Sequence, residues 1–158
     1  MTKNNRTRSP APHSQSASAV ALKMLVCAAL AHSTGAYAAD LTISLKDVRS
    51  DQGTLMLSVI RNEAQMNGKE PSPTSMMLSP NTEGVSVTLH DVEPGTYGVQ
   101  VMHDVNGNGE LDANMLGIPK EPWGFSNNAK GKFGPAKWKD VQFTIDDATV
   151  AQEISLNH

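Results

Sequence analysis

Apolar residues in this chain recur at every second position, in short runs separated by turn residues. That pattern demands strands with one buried face and leaves no room for a helical fold. Leu41, Ile43 and Leu45 alternate with Thr42, Ser44 and Lys46. Leu55, Leu57 and Val59 form a second set after Gly53, and Val85, Val87 and Leu89 a third. Tyr97, Val99 and Val101 supply another face, then Val141, Phe143 and Ile145, and finally Ile154 and Leu156. A weaker strand is expected around Ser75–Ser79. About seven short strands without a long amphipathic helix predict an all-β sandwich or barrel. Turn residues punctuate the runs: Glu93-Pro94-Gly95-Thr96 has the proline and glycine of a type II turn, and Asp51-Gln52-Gly53 and Asn67-Gly68 are further breaks. Residues 67–75, with Pro71 and Pro73, read as a surface loop.

The alternation begins only after residue 38. Before it stand Lys3, Arg6, Arg8 and Lys23 without an acidic residue, then the apolar run Met24-Leu25-Val26-Cys27-Ala28-Ala29-Leu30-Ala31, then Ala36-Tyr37-Ala38. A basic segment, a short apolar core and an A-x-A site make a cleavable export signal over residues 1–38, with cleavage expected between Ala38 and Ala39. The apolar run is far short of the ~20 residues that span a bilayer, so no membrane span is expected after cleavage. Val26 stands where a lipoprotein signal needs a small residue before its cysteine, which argues against lipidation. The expected product is a single domain, residues 39–158, periplasmic or secreted. It has no cysteine, which removes disulfides, thiolate catalysis and zinc–cysteine sites together.

Four of the 13 Lys and Arg lie in residues 1–38 and none of the 16 Asp and Glu do, leaving nine cations against 16 acids, a formal charge of −7. Such a domain suits a cation and not nucleic acid. One stretch has the chemistry to hold one. From Asp104 to Lys139, about 36 residues show no clear strand, where unstructured loops beyond ~15 are uncommon in compact domains. Trp123, Phe125, Phe133 and Trp138 mark it as an ordered excursion. It opens His103-Asp104-Val105-Asn106-Gly107-Asn108-Gly109-Glu110-Leu111-Asp112, which matches the first half of a calcium loop, D-x-[DN]-x-[DN]-G. Calcium wants about six to eight hard oxygens, and alternate short side chains on a tight coil converge on one point. Asp104, Asn106 and Asn108 supply side-chain oxygens, Gly109 the sharp turn, Glu110 a backbone carbonyl, and Asp112 a direct or water-mediated contact. Met115 stands where an EF-hand has its bidentate glutamate, so a closing carboxylate must come from elsewhere, with Glu121 and Asp140 as candidates. The expected Ca2+ site is weak, with a Kd of about 10⁻⁴–10⁻³ M. The competing reading is a metal-free turn, which Asn-Gly repeats also build.

Other residues carry weaker signals. His103 shares parity with Tyr97, Val99 and Val101 and should point inward as a core histidine; His90 falls on the polar face. Trp123, Phe125 and Trp138, with Asn127, offer a stacking platform for a ligand such as a glycan, or else cover one end of the sandwich. A metal-dependent hydrolase using His103, Asp104 and Asp112 is the enzymatic alternative, but no serine elbow, cysteine nucleophile or H-E-x-x-H helix accompanies them. Met56, Met66, Met76, Met77, Met102 and Met115 would suit a soft metal such as Cu(I), yet they are scattered and methionine is ordinary core filler.

His103-Asp104-x-Asn106-Gly107-Asn108-Gly109, Leu116-Gly117-Ile118-Pro119-Lys120-Glu121, Gly124-Phe125-Ser126-Asn127-Asn128, Phe133-Gly134-Pro135 and the turn Pro94-Gly95-Thr96-Tyr97 together resemble the bacterial secreted family called domain of unknown function 2141. The resemblance runs from about Leu41 to Leu156, with Pro122-Trp123 and Trp138 as small departures. It implies an exported immunoglobulin-like or transthyretin-like sandwich and no activity. The sequence thus points to an exported, non-enzymatic module that binds an unidentified protein or glycan.

Overall fold

The computed structural model describes residues 38–131 and 136–158. The expected leader up to Tyr37, the scissile bond's upstream segment and the Phe133-Gly134-Pro135 motif lie outside them. Among the described residues eight strands form: β1 Ala39–Lys46, β2 Thr54–Ile60, β3 Thr74–Leu78, β4 Val85–Val92, β5 Gly95–Asp104, β6 Trp123–Phe125, β7 Phe143–Ile145 and β8 Val150–Ser155. Two four-residue helices, α1 Glu63–Met66 and α2 Trp138–Val141, and a 3-10 turn at Ser126–Asn128 complete the elements.

The strands make two sheets that close over one core. In the first, β1 lies between antiparallel β4 and parallel β8. In the second the order is β3-β2-β5-β6, and β7 shares the same edge of β5 as β6. Strand β5 is long enough for both: Gly95–Tyr97 pair with β7 and Gln100–Met102 with β6. The alternation decides what meets in the middle. Leu41, Ile43, Leu45 and Ile154 from one sheet pack against Leu55, Leu57, Val59, Val99 and Val101 from the other, all buried. Burial of each such side chain is worth about 1.5–3 kcal/mol. The domain is a β-sandwich.

Outside, the two sheets differ. On the first, the opposite parity is a ladder of hydroxyls, Thr42 against Thr88 at 3.1 Å and Ser44 against Ser86 at 3.3 Å. His90 is exposed there, as its parity predicts, 3.0 Å from Asp40. On the second, pairing places Met77 beside Met56, Met56 beside Met102, and Met102 beside Trp123. The next row runs Ser75, Ser58, Gln100, Phe125.

Three expectations need correction. The Glu93–Thr96 segment does not make a type II turn with Gly95 at positive φ. Gly95 already pairs with Ile145 as the first residue of β5, and the left-handed position is Asp91, at φ 58°. Tyr97 secures that hairpin, donating from its hydroxyl to the Glu93 carbonyl at 2.8 Å while Arg61 lies over its ring. Val141 does not belong with Phe143 and Ile145 but ends α2. The excursion after Asp104 is not strandless: β6 adds to the sheet edge, with Gly124 turned inward and Trp123 and Phe125 outward. A glycine is needed there, because a Cβ on Gly124 would sit 2.6 Å from Cγ2 of Ile154 in the opposite sheet.

Gly124→Ala should therefore lower stability by about 1–3 kcal/mol through overpacking of the sheet interface. Denaturant unfolding checks this; an unchanged midpoint would mean that β6 does not lie against β8.

Candidate functional site

The loop that leaves β5 is organised around one buried carboxylate. Asp104, 4% exposed, accepts at Oδ1 from the backbone N–H groups of Gly107 (2.7 Å) and Asn108 (3.1 Å), and at Oδ2 from Gly109 (2.8 Å). Gly109 can complete this coil because it adopts φ 80°, as its place in the motif requires. Asn106 Oδ1 accepts from the Asn108 N–H at 3.0 Å and Asn108 Oδ1 from the Glu110 N–H at 2.9 Å. The two Asn side chains in turn donate to Asp112, Asn106 to Oδ2 at 2.7 Å and Asn108 to Oδ1 at 3.3 Å. Asp104, Asn106, Asn108 and Asp112 thus form one connected hydrogen-bond network. Glu110 is exposed and joins through its N–H alone.

Glu121, 7% exposed, closes the loop's base. Its Oε1 accepts from the Val105 N–H at 2.9 Å and its Oε2 from the Asp112 N–H at 3.2 Å, while the Lys120 N–H donates to the Asp112 carbonyl at 2.7 Å. Of the two carboxylates expected to close the loop, Glu121 is at hand. Asp140 sits on α2, where its carbonyl accepts from Asn127 at 3.2 Å. Among the described residues, no group of three or more His, Cys, Asp or Glu gathers where it could hold a metal ion. Any cation here would draw on the Asn carbonyls, each of which keeps a free lone pair.

His103 is fully buried, as expected from its parity, with Nε2 2.7 Å from the Gln52 carbonyl. That contact fixes the proton on Nε2 and leaves Nδ1 buried without a partner. It faces the core and not the Asp104 network's solvent side.

Beyond Asp112 the chain makes a small hairpin, with a bridge between Ala113 and Pro119 and Asn114 Oδ1 accepting from the N–H groups of Leu116 and Ile118. Met115 and Leu116 at its tip are exposed. The hairpin flanks a cleft of about 670 Å³ on the outer face of the second sheet. Met56, Met102, Trp123 and Phe125 floor it, Met66 of α1 borders it, and Leu111, Ile118 and Pro119 of the loop form a further wall. Ser58 and Gln100 are its polar groups.

The expected aromatic platform is shared between the cleft and a small apolar cluster, with Phe125 in both. Trp123 and Phe125 meet edge to face at 5.6 Å between ring centroids and line the cleft. Trp138 lies over Gly98 and, together with Phe125 and Met66, packs against Ala129, Ala136 and Val141. Asn127, at φ 58°, spends its side-chain amide on the carbonyls of Asp140, Val141 and Gln142. Both hold the fold at this end. The cleft has no sequence motif of its own; its one signal is the outward parity of Met56 and Met102, where a solvent face would be polar.

Residues 43–153 match the model of a family described as an uncharacterized protein conserved in bacteria, DUF2141. No curated protein and no solved structure matches the chain.

Glu121→Gln keeps the size of the loop's base clamp but replaces one acceptor oxygen with a donor. One of the Val105 and Asp112 N–H groups then faces an NH2, which should cost about 1–3 kcal/mol. Hydrogen exchange at those two amides should accelerate while exchange in β1 stays slow; protection unchanged at both would contradict the clamp.

Proposed function

The chain belongs to the DUF2141 family of bacterial proteins, and we propose that it is an exported, non-enzymatic binding module whose binding surface is the cleft on the second sheet and whose flanking loop is organised by Ca2+. The cleft carries this reading. A solvent face of a sheet is ordinarily polar, as the hydroxyl ladder of the first sheet is, and apolar concavities with a few polar groups are where ligands bind. Here thioethers and aromatic rings take the outward positions, with Ser58 and Gln100 among them.

Export is supported by the leader's three-part pattern and by the start of β1 at Ala39, so that cleavage after Ala38 leaves the first strand whole. Among the described residues no helix is long and apolar enough to cross a membrane. A hydrolase built on His103 and Asp104 gains nothing from the geometry, since His103 points into the core and both oxygens of Asp104 hold backbone N–H groups.

Calcium in the loop draws on the chemistry of the donor set. The Asp104 coil brings two carboxylates and two amide carbonyls together. A cation would displace the Asn106 and Asn108 amide N–H groups from Asp112 and bring their carbonyl oxygens and the Asp112 carboxylate onto itself. At about tenfold above its Kd, Ca2+ would add about 1.4 kcal/mol of stability, which raises Tm by about 5 °C for a domain of this size.

Millimolar Ca2+ should raise Tm by that amount, and chelator should reverse it. Asp112→Ala should abolish the response without unfolding the coil, because the Asp112 side chain holds no backbone N–H. A melting curve indifferent to Ca2+ and chelator removes calcium from the account. The cleft is tested separately with the apolar fluorophore 1-anilinonaphthalene-8-sulfonate. The wild type should enhance its emission, and Met102→Glu, which sets a charge on the cleft floor, should suppress it while Tm holds. Equal emission from both would contradict the cleft as the binding surface.

A further inference from the structure

Resting on the cleft as the binding surface, we propose that its floor holds a soft monovalent cation, Cu(I), through the thioethers of Met56, Met66 and Met102 beside the Trp123 ring. In sequence these methionines are far apart. In the sheet, Met56 and Met102 are direct cross-strand partners, and Met102 is the partner of Trp123. Side chains so paired start with Cβ atoms about 5 Å apart, within reach of one ion for flexible thioether arms. Met66 reaches the same cleft from α1.

Core filling does not account for Met56 and Met102, while Met66 packs against Ala129, Ala136 and Val141 and reaches the cleft from that cluster. The sandwich core is complete without them, since Leu55, Leu57, Val99 and Val101 are the inward members of the same strands. Met56, Met66 and Met102 are half-buried at the cleft surface, and the outer face of a strand, where Met56 and Met102 stand, does not need sulfur. Thioethers are soft, uncharged ligands that select Cu(I) over the hard divalent ions. An indole face beside them adds cation–π attraction. The cleft is much larger than an ion, so an ion on its floor keeps one side open to exchange with a donor or acceptor. The two cations of this account therefore occupy different places by hardness: oxygen ligands in the loop for Ca2+, sulfur ligands on the sheet for Cu(I).

Full-length protein carrying Cys27→Ser, which removes the single thiol, is titrated with Ag(I), a redox-inert analogue, and anaerobically with Cu(I) against a chromogenic chelator. Binding of one ion per chain with quenching of Trp123 emission is expected. The double variant Met56→Leu/Met102→Leu keeps the apolar volume and should weaken binding at least about tenfold, since two of three soft ligands are gone; Trp123→Phe should remove the quenching and keep the stoichiometry. No stoichiometric binding, or affinity unchanged in the double variant, overturns the proposal. If the fluorophore still binds the cleft in that case, the binding module stands and only its metal is lost.

Discussion

The register of β5 against β2 on one side and β6 on the other determines everything else in this domain. Side chains alternate with a period of two, so a slip of one residue would exchange the two faces of the sheet. The inward set, Val99, Val101 and His103 opposite Val59, Leu57 and Leu55, locks that register through burial. The outward set follows without further choice: once Leu57 faces the core, Met56 and Ser58 must face out, beside Met102 and Gln100. The cleft is the other side of the core's own constraint.

A second constraint is polar. Strand β5 ends at Asp104, and the chain there turns away from the sheet with several backbone N–H groups that have no strand partner. Buried donors left unpaired cost about 1–3 kcal/mol each. Asp104 collects three of them and Glu121 two more, one at either end of the loop. Because Glu121 stands two residues before β6, the clamp also sets where β6 joins the sheet, and hence where Trp123 and Phe125 face. The acids of the loop and the aromatics of the cleft are linked through five residues of chain and one hydrogen-bonded carboxylate.

Much of this was legible in the sequence, and the boundary is physical. Leu41, Ile43 and Leu45 announce their strand because a local period of two suffices to identify it. The D-x-N-x-N-G coil is legible for the same reason: its hydrogen bonds reach no more than six residues, a distance a motif can encode. Strand β6 is three residues long with glycine in the middle, too short for a period, and only its pairing with β5 defines it. Val141 fits the alternation of Phe143 and Ile145 but turns into α2 because its partners are Ala129, Ala136 and Trp138. Glu121 was recognisable as a carboxylate near the loop, though not that backbone amides would claim both its oxygens. The methionine row was hidden most completely. Met56 and Met102 become neighbours only through a cross-strand register, a property of two strands together that neither shows alone.

The register gathers thioethers on one face of the sheet, and their response to a soft ion can be read one by one. Methionine methyl spectra of the 13C-labelled protein during Ag(I) addition give that reading, because each thioether reports for itself. The Met56, Met66 and Met102 methyls should shift together and saturate at one equivalent, while Met76, on the inward parity of β3, and Met115, at the hairpin tip, stay in place. Shifts confined to Met115 or Met77, or spread evenly over every methionine, would contradict it.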